Sequence, residues 1–181
     1  MFKQWFGAAR KRNRAIADGL YERIVAAARR PVPYSAWNVP DTPLGRYEML
    51  SLHMLLVLRR LKGEGPEADA LAQELTDVFF QDIDHSLREL GIGDMGVPKR
   101  MKRLARMFFG RAAAYEAAID AGDADALSAA LTRNVRPDAT EWPEAGALAA
   151  HALAMHAALG RQPLDAILSG EVDLPDAEAT D

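Results

Sequence analysis

Between one glycine or proline and the next, the apolar residues of this chain recur every three to four positions, and no stretch alternates apolar with polar as a half-buried strand does. That spacing matches the turn of an α-helix. The chain is also rich in Ala, Leu, Met, Arg and Glu, which are strong helix formers. The expected class is therefore all-α, a single compact helical bundle of about six to seven helices whose short loops make neighbours antiparallel. A chain of 181 residues supports one domain with a real core and is too short for two ordinary ones, so residues 1–170 are read as one domain. No internal repeat is present.

Punctuation marks the helices. A first helix runs from Phe2 through Trp5, Phe6, Ile16, Leu20 and Ile24 and stops before Arg-Pro-Val-Pro, where the prolines call for extended chain. After a linker over residues 31–43, Thr42 caps a second helix with Pro43 in its first turn. This helix is apolar almost all round. It leaves Arg46, His53 and Arg60 as one polar stripe, which places it centrally in the bundle. A third helix follows Gly63-Glu-Gly-Pro66 and stops at Gly91, and a fourth opens at Pro98 and ends at Gly122. Asp123 caps a fifth, an Ala-rich helix follows Pro143, and Pro163 begins a last short one. Met49 to Leu58 is the most apolar run, but Ser51 and His53 interrupt it and it is far shorter than the roughly 20 residues of a membrane span.

The net charge of −4 conceals an uneven layout. Five bases and no acid lie between Met1 and Arg14, and six bases and no acid between Val97 and Arg111. Residues 171–181 are acidic and are expected to form a mobile tail. Basic segments on an acidic protein point to local anionic partners rather than to bulk nucleic-acid binding, and no DNA is expected. The chain has no cysteine, which excludes disulfides, thiol catalysis and cysteine-held metals. The N-terminus lacks a secretory pattern, although its Arg-rich, acid-poor start has the flavour of a mitochondrial presequence.

Catalytic constellations are poor. No P-loop, Rossmann glycine pattern or nucleophile elbow occurs. His151 and His156 are splayed by about 140° around their helix and cannot share a metal. His85, with Asp82 before it and Glu89 after it, is one carboxylate–histidine element where a di-iron bundle needs two. No cofactor and no metal are expected, and a metal-dependent bundle enzyme built on Asp82 and His85 is the remotest alternative.

Three features point to contacts instead. Asp82 and Ser86 fall within the apolar face of the third helix, and a carboxylate there needs a partner. They are read as structural buried polar groups, with Arg46 or Arg100 as the partner of Asp82. On the helix opened by Pro98, Met101, Leu104, Phe108 and Tyr115 form a core face, and Lys99, Lys102, Arg103 and Arg106 gather opposite. Lys99, Arg100 and Lys102 also occupy first turns, where the helix dipole favours acids. Before them the loop GIGDMG (Gly91, Gly93, Asp94, Met95, Gly96) permits unusual backbone angles. The loop together with Lys99, Arg100, Lys102, Arg103 and Arg106 is the candidate partner-binding site. The third feature is the basic amphipathic segment 1–14: Phe2, Trp5, Phe6, Arg10 and Lys11 suit an anionic membrane surface or a partner contact.

Two stretches, VPDTPLGRYEMLSLHMLLVLRRL (Val39 to Leu61) and DVFFQDIDHSLRELGIGDMGVPKRMKRLARMFFGRAAAY (Asp77 to Tyr115), resemble the ubiquinol–cytochrome c chaperone family of respiratory complex III assembly factors. The likeness extends over roughly residues 15–168 and its compact length is similar to the shorter bacterial branch. It implies an all-α protein without catalytic activity, whose mitochondrial relatives bind newly made cytochrome b, work with a small partner protein and associate with the ribosome. The expected function is a chaperone that holds cytochrome b during assembly of the complex. It would act in the cytoplasm, peripherally at the inner face of the cytoplasmic membrane, or in the mitochondrial matrix of a eukaryote. A nucleic-acid- or ribosome-binding module using the same basic stripe is the alternative.

Overall fold

Eight helices follow one another in the computed structural model, which describes residues 2–93 and 95–177 and side chains from residue 11 onward. They are α1 (Phe2–Ala28), α2 (Val32–Ser35), α3 (Pro43–Leu61), α4 (Pro66–Glu89), α5 (Val97–Ala121), α6 (Ala124–Val135), α7 (Ala145–Arg161) and α8 (Leu164–Leu168). No strand occurs among the described residues. The boundaries sit where the punctuation put them. Thr42 Oγ1 accepts the Gly45 N–H at 3.1 Å at the start of α3, and the Asp123 carboxylate accepts the Ala126 N–H at 2.9 Å at the start of α6. Gly91, with φ of 77°, follows the last turn of α4 in the left-handed conformation that a side chain would penalise. Gly45 is required for a different reason. A Cβ there would collide with the backbone carbonyl of Pro40.

Packing divides the chain into two units, each discontinuous in sequence. The first takes its described residues from Met1–Glu22, Leu61–Phe109 and Pro163–Val172. Ala17 and Leu20 of α1, Leu71, Leu75, Phe79 and Ile83 of α4, Phe108 of α5 and Ile167 of α8 are buried in it. The second takes them from Arg23–Arg60, Gly110–Gln162 and Asp173–Asp181. Its core holds Ile24, Trp37, Met49, Met54, Leu56, Tyr115, Leu127, Leu131, Leu148, Met155 and Leu159, and α6 packs along α7.

Within the second unit α3 is central, as its composition predicts. Every residue from Tyr47 to Met54 except Leu50 is buried, a pattern that an amphipathic surface helix does not show. Its polar stripe, however, does not face water as a whole. Arg46 is exposed and pairs with Asp41 at 2.6 Å, and Arg60 donates to the carbonyls of Leu159 (3.1 Å) and Gln162 (3.2 Å) at the end of α7. His53 is only 2% exposed, and its Nδ1 lies 2.8 Å from the Met49 carbonyl. A carbonyl only accepts, so Nδ1 carries the proton. Burial holds the pKa of His53 down to about 4, and the ring is neutral in the core.

Two segments depart from expectation. The linker expected to be extended begins with the helical turn α2, because proline is tolerated in a first turn where its missing N–H would be unpaired anyway. Tyr34 OH donates to the Ala28 carbonyl at 2.7 Å, and Trp142 Nε1 donates to the Trp37 carbonyl at 2.8 Å, which fixes the linker's aromatics. The tail expected to be mobile is held over residues 171–177. Val172 and Leu174 are buried. Arg30 donates to the carbonyls of Leu174 and Pro175 at 2.6 and 2.7 Å and pairs with Asp176 at 2.8 Å. The Gln162 side chain exchanges two hydrogen bonds with the Asp173 backbone. Residues 178–181 lie outside the described residues. No helix is long and apolar enough to cross a membrane among the described residues.

Candidate interaction site

The loop between α4 and α5 reverses the chain within the first unit. Gly96 N–H donates to the Gly93 carbonyl at 2.7 Å, tightening the turn before Val97 and Pro98 begin α5. The two helices meet through four phenylalanines. Phe79 and Phe108 have ring centroids 5.0 Å apart, Phe80 and Phe108 5.8 Å, and Phe80 and Phe109 6.2 Å. Phe79 and Phe108 are buried, Phe80 is half-buried and Phe109 is 60% exposed, so the aromatic row passes from core to surface.

That row fixes the rotation of α5. With Phe108 inward, Lys99, Lys102, Arg103 and Arg106 point outward, and all of them are exposed, as is Arg100. No carboxylate among the described residues pairs with any of these five cations. Apolar groups border the stripe. Met95 is 96% exposed and Leu90 62%, both at its N-terminal end, and Phe109 flanks its far end. Gly91 and Gly93 of the loop are exposed and Gly96 is half-buried, whereas Asp94 lies outside the described residues.

The sixth base of the run belongs elsewhere. Arg111 is buried in the second unit and meets Glu48 of α3 at 2.6 Å. Burial raises the pKa of the Glu48 carboxyl, and the Arg111 charge pulls it back down. Tyr115 OH, also buried, accepts from Asn134 Nδ2 at 3.3 Å, and burial raises its pKa first, with the Glu48 charge adding to the rise. This polar cluster was not anticipated. The signal was available: Arg111 sits three residues from Phe108 and four from Tyr115, on the core face, and Glu48 falls on the apolar side of its helix, away from the stripe of Arg46, His53 and Arg60.

The reading of Asp82 and Ser86 needs correction. Asp82 is half-buried and accepts from Tyr21 OH at 2.7 Å, so its partner is a phenol of α1 and not Arg46 or Arg100. Ser86 is exposed, because the last turns of α4 run beyond the core that covers Phe79 and Ile83. Those same turns leave His85 and Glu89 exposed as a surface pair at 3.2 Å. No group of three His, Asp or Glu residues that could hold a metal occurs among the described residues.

In the N-terminal segment the backbone is helical from Phe2, and Lys11 is exposed. The side chains of Phe2, Trp5, Phe6 and Arg10 lie outside the described residues. Further along α1, Arg14 pairs with Asp18 at 3.0 Å and donates to Gln81 at 2.7 Å, so this part of the helix belongs to the packed first unit.

Residues 35–174 match the model of the family described as ubiquinol-cytochrome C chaperone. Among solved structures, the Cbp3 homolog from Brucella abortus is 56% identical, with a TM-score of 0.89 and the whole of both chains covered. No match was found among the curated proteins. The eight helices described above are thus the fold of a known chaperone group, and the chain belongs to the ubiquinol–cytochrome c chaperone family.

Proposed function

We propose that this chain is a non-catalytic chaperone that holds newly made cytochrome b and promotes its assembly into the ubiquinol–cytochrome c reductase complex. Family membership over residues 35–174 carries the reading. The chaperone works in the cytoplasm, peripherally at the inner face of the membrane into which its client is inserted. Its docking surface is the loop Gly91–Gly96 with Lys99, Arg100, Lys102, Arg103 and Arg106. Exposed Met95, Leu90 and Phe109 give this surface apolar contacts beside its charges, and methionine adapts readily to irregular partners.

A strain lacking the gene tests this reading. Reduced-minus-oxidised spectra of its membranes are expected to lose the b-type haem signal selectively, together with quinol–cytochrome c reductase activity. Both should return with the wild-type gene. Normal spectra and normal activity in the deletion strain would overturn the assignment.

A further inference from the structure

We infer that the α5 stripe is a docking surface for an anionic lipid bilayer; this deepens the chaperone reading above, on which it rests for its setting, by naming what the stripe binds. Five exposed cations without a carboxylate partner among the described residues concentrate positive charge on half of one helix of an acidic protein. Lys99 to Arg106 span about 10 Å of helix axis, so the charges act together on a surface within one Debye length. Lipid headgroups of the inner leaflet supply the complementary charge.

The apolar neighbours decide between anionic partners. Phe109 lies three residues beyond Arg106 and Met95 four before Lys99, bordering the charges with side chains that are 60% and 96% exposed. Apolar side chains next to lysines and arginines are what an interfacial helix lowers into the headgroup–acyl boundary. A single-stranded RNA would instead call for several exposed rings on which bases stack, and among the described side chains, from residue 11 onward, Phe109 is the only exposed large aromatic. The client's own loops are also poorly suited, because segments on the inner side of a membrane protein carry an excess of Lys and Arg. They would be repelled by Lys99, Lys102, Arg103 and Arg106. The stripe therefore holds the chaperone on the membrane where its client emerges, and the client's apolar segments are held by other contacts.

Flotation of the full chain with phosphatidylcholine vesicles, with and without phosphatidylglycerol, tests this. Binding is expected only to the anionic vesicles, falling by about a hundredfold or more in K99E/K102E/R103E/R106E and by about fivefold in Phe109→Ser. Circular dichroism of each variant checks that the helices remain. No vesicle binding by the wild type overturns the inference, as does equal binding by the charge-reversed chain, which would assign attachment to residues 1–14. Preference for a single-stranded RNA over anionic vesicles overturns it as well. Each outcome is read without reference to cytochrome b, whose capture tests the chaperone reading separately.

Discussion

The two halves of α5 carry the same kinds of residue and put them to opposite uses. Up to Phe109 the helix holds Lys99, Arg100, Lys102, Arg103 and Arg106 in water with no acidic partner among the described residues. Past Gly110, Arg111 is 8% exposed and lies against Glu48. Rotation about the helix separates four of them: Lys99, Lys102, Arg103 and Arg106 lie opposite Phe108, whereas Arg111 lies on the side of Tyr115. Arg100, eleven residues before Arg111 and so at nearly the same angle, is exposed, and burial alone sets it apart. A run of bases in a sequence is therefore two different things at once, a surface for recognition and a structural charge. Only the burial of each side chain assigns it to one or the other.

The largest expected effect breaks that comparison at its buried end. Arg111→Met leaves Glu48 without its counter-charge in the core and is expected to cost about 3–5 kcal/mol in denaturant unfolding, whereas Arg103→Met should stay within about 0.5 kcal/mol. Adding Glu48→Leu to Arg111→Met should recover most of the loss, since an apolar pair needs no compensation. Equal, small losses at Arg103 and Arg111 would erase the distinction between the two halves.

The core histidine of α3 gives the next effect. Its pKa is about 4 in the folded chain, against an ordinary value of 6.5, because the charged ring is penalised by burial. The neutral form is thus favoured by folding. The stability it contributes is present above about pH 6.5 and is lost as the pH falls toward 4, by about 3 kcal/mol at the lower end. His53→Asn keeps a donor for the Met49 carbonyl without a titrating ring. Unfolding curves of the two chains should diverge at neutral pH and converge through this window. Parallel pH profiles would place the ring in water instead.

Two glycines sharpen the comparison at the backbone. Gly45 in α3 abuts the Pro40 carbonyl, and Gly45→Ala should cost about 1–3 kcal/mol as the chain shifts to relieve the collision. Gly110, between the halves of α5, has nothing within 4 Å of a would-be Cβ. There alanine should raise stability by about 0.5–1 kcal/mol by favouring the helix. Thermal unfolding of the pair reads both signs in one experiment.

Helix existence and ends were legible because proline, glycine and cap residues act locally: Thr42, Pro43, Gly91, Gly122 and Asp123 each sit at the boundary they mark. What depended on distant partners was not. Tyr21 as the acceptor's partner for Asp82, 61 residues away, follows from how α1 and α4 lie in the first unit, and no spacing rule contains it. The hold on residues 171–177 was hidden by their acidity, although Val172 and Leu174, two apart in extended chain, were the anchors to notice. At the candidate site the cationic face was legible from period and charge. Of its apolar border, Met95 was legible as part of the loop, whereas the exposure of Leu90 and Phe109 was not, because how far the cover over α4 and α5 extends depends on distant packing.

The central claim is that the client is newly made cytochrome b. Pulse-labelling of growing cells, followed by capture of the tagged chain from membranes in mild detergent, tests it most directly. Labelled cytochrome b is expected to come down with the chain at the end of the pulse and to leave it during the chase as the reductase complex assembles. Label absent from the captured fraction throughout, or cytochrome b recovered only as part of the finished complex, would contradict it.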